Sequence, residues 1–224
     1  MTNGLPHVVF DLDDTLYSEV TYVHSALQFV GEITDRAYGQ RNSGAELLRS
    51  YEAGDRNPIQ TYWQNHELPK VALPDCVSAM RAHYPSISLR EGARFVLSGL
   101  ERRGIHWSIL TDGRSVTQRQ KLAALGLIHE AHGIYISEER NVSKPHPSAF
   151  KQIERDFAVA SHFVYVADNP QKDFISPKQR GWITLMLGND GRNLHAQDAD
   201  LPIEMQAGIT IANISDTMHH LEVR

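Results

Sequence analysis

Two aspartates, Asp11 and Asp13, close a short apolar run in which Val8, Val9 and Phe10 are followed by Leu12. The run is β-branched and aromatic, too short for an amphipathic helix, and reads as a buried parallel strand ending in acids. An extended backbone sends residues i and i+2 to the same side, so both carboxylates are expected to converge beyond the strand's carboxyl end. Unpaired carboxylates there repel each other and cost desolvation, which a cation or a proton-transfer role ordinarily offsets. Mg²⁺ commonly joins one or two such carboxylates to a substrate phosphate. The plainer alternative is a strand end whose solvated acids feed a turn, and Asp-x-Asp alone does not choose between them.

Whatever positions these acids must come from the rest of the chain. After Tyr17 the apolar period lengthens: Val20, Val23, Leu27, Val30 and Ile33 describe a helix from Ser18, a candidate N-cap, to about Tyr38, with Gly39 at its end. Further helical pieces are expected at Ala45–Ala53, Ile59–His66 and Pro74–Tyr84, separated by Gly54-Asp55-Arg56-Asn57-Pro58 and by the Pro69–Pro74 stretch. Nothing between Glu19 and Pro85 reads as a strand, so the first strand is followed by an all-helical insert far longer than an ordinary connection. From Arg90 strands and helices alternate. Strands are expected at His106–Leu110, Gly133–Ile136, His162–Ala167, Ile183–Leu187 and Ile209–Ile211; helices at Glu91–Arg103, Val116–Leu125, Pro147–Phe157, about Phe174–Arg180, and Ile214–Leu221. Such alternation predicts an α/β fold: a doubly wound parallel sheet with helices on both faces, carrying a small all-helical cap after its first strand. The expected division is a core of residues 1–16 and 90–224 and a cap of residues 17–89.

In such sheets ligands bind outside the carboxyl ends of the strands. Those positions hold Asp11 and Asp13, then Thr111, Lys144, and Asp168 with Asp173 shortly after it. A hydroxyl, an ammonium and four acids at one rim supply what phosphoryl transfer needs: a nucleophile, a cation, and donors for the equatorial oxygens. Singly, Thr111 before Asp-Gly reads as a turn residue, Lys144 before Pro145 as a loop lysine, and Asp168-Asn169-Pro170 as a turn into a helix that Asp173 caps. Their joint placement at one sheet edge is what those separate readings leave unexplained.

FDLDDTL, ILTDG, SKPHPSAF and VYVADNPQKDF occur in that order, each at a strand or loop end. They resemble the four motifs of the haloacid dehalogenase (HAD) superfamily, in the subgroup whose helical cap follows the first strand, and the likeness covers nearly all of the core. The family usually has Gly before the fourth-motif acid; this chain has Ala167. The resemblance implies a Mg²⁺-dependent phosphatase acting on a small phosphomonoester, a sugar phosphate or nucleotide. By it, Asp11 attacks phosphorus and becomes an aspartyl-phosphate, and Asp13 acts as acid and then base. Mg²⁺ would be held by Asp11, the Asp13 backbone carbonyl and Asp168, with Asp173 acting through water or orienting Lys144. Thr111 and Asp112, through the hydroxyl and nearby backbone amides, would hold phosphate oxygens together with Lys144, which also neutralises the nucleophile. A phosphomutase would use the same residues; a receiver-like switch or a non-catalytic phosphate-binding protein are further readings. Against a receiver stand the helical insert and the early position of the first acid.

Composition limits the alternatives. The 224 residues carry a formal charge of −5, and a pI near 6.2 gives no general basic surface for nucleic acid. A single cysteine, Cys76, excludes an intrachain disulfide and reads as helix packing. The twelve histidines form no metal-ligand spacing on a helix. Tyr62 and Trp63 read as cap packing, and Arg49, Arg56 and the Gly54–Pro58 break as contributors to substrate selection. Neither a basic-then-apolar leader nor an apolar run of about 18 residues is present, so the expectation is a cytoplasmic monomer or homodimer without membrane partners.

Overall fold

The computed structural model describes residues 4–197 and 200–221. Among these, six strands form one parallel sheet: β1 (His7–Phe10), β2 (Trp107–Thr111), β3 (Gly133–Ile136), β4 (Phe163–Ala167), β5 (Ile183–Leu187) and β6 (Ile209–Ile211), in the spatial order β3-β2-β1-β4-β5-β6. Val9 of β1 pairs with Ser108 on one side and Tyr165 on the other. With both neighbours present β1 is fully buried, and its alternation supplies two cores. Val8 and Phe10 face the larger, with Val96, Leu100, Trp107 and Ile109. Val9 faces the other, with Leu110, Phe150, Tyr165 and Phe174.

This strand order places the switch point of the doubly wound sheet between β1 and β4. The chain leaves β1 for β2 and β3 on one side, then returns beyond β1 for β4, β5 and β6. The connections diverge there and open a crevice at the carboxyl ends of the two strands. Asp11 and Asp168 occupy those ends.

Between β1 and β2 lie α1 (Glu19–Tyr38), α2 (Ser43–Glu52), α3 (Pro58–Asn65), a 3-10 turn (Lys70–Ala72), α4 (Leu73–Ala82) and α5 (Ala93–Arg102). The helices up to α4 enclose an apolar cluster of their own, in which Leu27, Val30, Leu47, Tyr62, Trp63 and Cys76 are buried. Two glycines let α1 and α2 touch backbone to backbone: a Cβ on Gly31 would lie 2.0 Å from the Gly44 nitrogen. The remaining helices are α6 (Ser115–Ala124), α7 (Ser137–Arg140), α8 (Ser148–Asp156) and α9 (Ile175–Gln179), followed by a 3-10 turn at Ile214–His219. That last turn replaces the α-helix expected at Ile214–Leu221, and α7 is an addition to the expected elements. Both are too short to develop the 3.6-residue periodicity that marks an amphipathic helix.

One expected cap is corrected. Ser18 makes no side-chain capping bond to α1. Asp14 caps the helix instead, accepting the Glu19 N–H at 2.8 Å on Oδ1. Its other oxygen accepts the Leu194 N–H at 2.8 Å, and its backbone carbonyl accepts from Arg90 at 3.0 Å. Asp14 has φ +51°, a left-handed conformation that turns the chain sharply before α1 and that aspartate tolerates better than most residues.

Candidate active site

The chain stops being a strand at Phe10, although the Asp11 N–H continues the ladder to the Val166 carbonyl at 2.9 Å. From Leu12 onward it turns, with the Leu12 N–H donating to Asp11 Oδ1 at 2.8 Å. The two leading acids therefore do not share one extended face, contrary to the i, i+2 expectation. Each carboxylate has its own ammonium. Lys144 Nζ lies 2.9 Å from Asp11 Oδ2, and Lys121 Nζ lies 2.6 Å from Asp13 Oδ1.

Lys144 also lies 2.7 Å from Asp173 Oδ1 and donates to the Tyr165 hydroxyl at 3.2 Å. That hydroxyl donates to Asp173 Oδ1 at 3.1 Å, while Asp173 Oδ2 accepts the Asn169 N–H at 3.0 Å. Asp173 is thus filled by groups that orient Lys144. Asp168 has different company: Asn193 Nδ2 donates to its Oδ2 at 3.1 Å, Thr15 lies 3.4 Å from Oδ1, and Gln197 Nε2 donates to its backbone carbonyl at 2.7 Å. Thr111 is buried at the end of β2, its hydroxyl accepting from Gln118 Nε2 at 2.6 Å. Asp112 accepts the Lys144 N–H at 3.2 Å, so its carboxylate fastens the lysine's loop. Ala167, where the motif usually has glycine, is buried beside Phe174 with its methyl group in the second core.

Asp11, Asp168 and Asp173 each bring a carboxylate oxygen to within 4.8 Å of the others, all buried. Among the described residues, Lys144 is the ammonium in contact with these acids, paired with Asp11 and Asp173. Burial foremost, against the pull of Lys144, pushes Asp11 up to about 6. Burial foremost, then the Asp11 and Asp173 charges, pushes Asp168 up to about 8. This surplus of negative charge on oxygen donors is what a hard divalent cation balances, and the donor set fits Mg²⁺.

A second group of charges surrounds Asp13. Burial opposes its ionisation, but Lys121 and hydrogen bonds from Lys121, Tyr17 and Gln118 win and hold the carboxyl below its usual range. Glu19, half-buried at the start of α1, is pushed up to about 7 by burial and by the Asp13 charge. Lys121, Gln118 and Tyr17 are not singled out by the strand-end rule, because they stand on a helix and in a turn. Gln118 and Lys121 lie on the inward face of α6, whose buried residues are Gln118, Lys121 and Leu122, and no sequence pattern marks that face.

Residues 5–181 match the family model described as haloacid dehalogenase-like hydrolase. The chain therefore belongs to the haloacid dehalogenase-like hydrolases. It is 28% identical over 202 residues to a glyceraldehyde 3-phosphate phosphatase of Methanopyrus kandleri, covering 80% of this chain and 82% of that protein. The glyceraldehyde 3-phosphate phosphatase of Pyrococcus abyssi is 30% identical over 193 residues, 80% of this chain and 79% of that one. A phosphoserine phosphatase of Thermus thermophilus is 32% identical over 129 residues, 57% of this chain and 49% of that one. Among solved structures, magnesium-bound YfnB of Bacillus subtilis superposes with a TM-score of 0.68 at 20% identity, over 98% of this chain and 100% of that one.

Proposed function

We propose that this hydrolase is a Mg²⁺-dependent phosphatase that cleaves a small phosphomonoester, a sugar phosphate or nucleotide, through an aspartyl-phosphate on Asp11. The observation that carries the reading is the meeting of Asp11, Lys144 and Asp168 at the switch point of the sheet. Asp11 presents one carboxylate oxygen to Lys144 and anchors the other on the Leu12 N–H, a fixed orientation suited to in-line attack on phosphorus. Lys144, itself fixed by Asp173 and Tyr165, neutralises charge on the nucleophile and the phosphoryl group. Asp13, which Lys121, Tyr17 and Gln118 hold as the carboxylate, must take up a proton before giving it to the leaving oxygen; the carboxylate then takes one from the attacking water. Thr111 and the amides around Asp112 receive phosphate oxygens.

Mg²⁺ would be held by Asp11, the Asp13 backbone carbonyl and Asp168, with Asp173 engaged through water while it orients Lys144. When bound, it supplies positive charge to the phosphoryl oxygens.

The helices of residues 17–89 act in this reading as a cap over the crevice. They contain a cavity of about 410 Å³ lined by Tyr22, Tyr51, Arg56, Asn57, Ile59 and Leu73. Tyr22 links it to the crevice, since Lys121 Nζ lies 4.3 Å from the centre of its ring. The leaving group is expected there, with Arg56 and Asn57 from the Gly54–Pro58 break among the residues that choose it. The relatives named for glyceraldehyde 3-phosphate and phosphoserine support a substrate of this size.

The test is phosphate release by the purified protein from p-nitrophenyl phosphate and a panel of phosphorylated metabolites, with and without Mg²⁺. The expected result is release that chelator abolishes and Mg²⁺ restores. Turnover indifferent to chelator sinks the metal-dependent reading, and isomerisation of a sugar phosphate without phosphate release identifies a mutase.

The raised acids give an independent prediction. Asp11 and Asp168 hold protons in the metal-free fold that the unfolded chain releases near pH 4. Between those limits the folded state binds more protons, so each acid's contribution to stability falls as pH rises, and is fully lost above about pH 8 for Asp168. His7 acts oppositely, buried and lowered to about 3, but its effect is complete above pH 6.5. In chelator, Tm is therefore expected to fall from pH 6.5 to 8, and the rise in Tm on adding Mg²⁺ to be larger at pH 8 than at 6.5. Calorimetry at pH 7 should register protons released on Mg²⁺ binding; a pH-independent Mg²⁺ effect would contradict the assignment.

A further inference from the structure

Asp13 is enclosed on both oxygens by other side chains. Oδ1 accepts from Lys121 Nζ at 2.6 Å and from the Tyr17 hydroxyl; Oδ2 accepts from Gln118 Nε2 at 2.9 Å. Gln118 and Lys121 are one turn apart on α6 and face the same way. Both are buried, where a helix packed on a sheet ordinarily turns apolar residues inward. Burying these long polar side chains costs desolvation and rotamer entropy that a leucine would not. The ammonium is confined from its other side by two aromatic rings, Tyr22 at 4.3 Å and Tyr17 at 5.7 Å from their centres. Gln118 also reaches the Thr111 hydroxyl at 2.6 Å, tying the acid to the end of β2.

Resting on the reading of Asp13 as acid and base for an Asp11 nucleophile, we infer that α6 is the element that aims Asp13, with Lys121 its principal positioning residue and Gln118 the second. Lys121 works through Asp13. It fixes the carboxylate's rotation with one strong contact, and Tyr22, at the cap end of that contact, keeps the ammonium from swinging away. A misplacement of about 1 Å in a catalytic group costs on the order of 100-fold, and without Lys121 only Tyr17 and Gln118 oppose such a movement.

The two half-reactions separate this role from a merely structural one. Expelling p-nitrophenolate requires no proton from Asp13, whereas expelling an alkoxide does. Hydrolysis of the aspartyl-phosphate requires Asp13 as base for both substrates. Rapid-quench kinetics with saturating Mg²⁺ are run on wild type, Lys121→Met, Lys121→Arg and Gln118→Leu, using p-nitrophenyl phosphate and an alkyl phosphomonoester that the wild type hydrolyses. Lys121→Met is expected to release a first equivalent of p-nitrophenolate within about threefold of the wild-type rate, then to turn over about 100-fold more slowly. On the alkyl ester its first turnover should also be slowed about 100-fold. Lys121→Arg, which keeps a cation at Asp13, should recover most of both rates, and Gln118→Leu should repeat the pattern at about tenfold.

Unchanged turnover in Lys121→Met overturns the inference. So does an equal loss of burst and steady state on both substrates in Lys121→Met and Gln118→Leu. If Lys121→Met does not fold, Gln118→Leu decides by the same pattern: a uniform loss overturns it and a lost steady state with a kept burst supports it. Wild type without Asp11-dependent phosphate release would overturn the phosphatase reading itself, and this inference with it.

Discussion

Asp11→Asn is expected to reduce phosphate release from p-nitrophenyl phosphate by roughly 10⁴-fold or more while the protein stays folded. The amide lacks a charged oxygen to attack phosphorus, so the loss falls on kcat. Its retained carbonyl can still accept the Leu12 N–H that now meets Oδ1 at 2.8 Å. Losing the ion pair with Lys144 is offset in part by removing a charge whose burial already pushes this acid up to about 6. Lys144 keeps its contact with Asp173 at 2.7 Å. Circular dichroism and thermal melting should therefore track the wild type closely while steady-state release and the stopped-flow burst disappear. A variant that retains turnover would move the nucleophile to another group and end the aspartyl-phosphate proposal.

Lys144→Met should damage both activity and stability. The ammonium bridges two buried carboxylates, and its loss leaves Asp11 and Asp173 facing each other without a counter-charge. Breaking a buried pair from one side costs about 3–5 kcal/mol. Removing the cation from a phosphoryl-transfer site should cost at least about 10²–10³-fold in turnover. The stability deficit has a sign in pH: the abandoned carboxyls bind protons more readily, so urea denaturation should show a smaller deficit at pH 5.5 than at pH 8. Mg²⁺ should narrow the gap at pH 8 by supplying the missing positive charge. A deficit equal at both pH values would mean that Lys144 serves mainly as packing.

The cluster just perturbed is legible because strand ends are legible. Val8–Phe10 and Phe163–Ala167 are apolar runs that stop at acids, and a parallel sheet brings such stops to one edge, which is where Asp11, Lys144, Asp168 and Asp173 meet. Residues off the strand ends are not legible in this way. Asp13 stands in a turn whose direction depends on φ +51° at Asp14, and nothing local to Asp-x-Asp specifies that angle. Lys121 and Gln118 are hidden because a helix with polar residues on its buried face looks like a weakly patterned solvent-exposed one until its neighbour is known. Asn193 and Gln197 reach Asp168 from a loop without periodicity, where side-chain direction is set by tertiary contacts. Tyr62, Trp63 and Cys76 are easier, since an apolar side chain in an amphipathic helix has few alternatives to the interior of its own bundle.

Asp14 takes no part in the proposed chemistry, yet its three contacts fasten together the start of α1, the returning chain at Arg90 and the loop at Leu194. Both crossings between the helical segment and the sheet are thus moored to the wall that shelters Asp168. In the proposed reading of those helices as a cap, a swing would turn about a fixed pin, and the acids would keep their spacing while the cap moved.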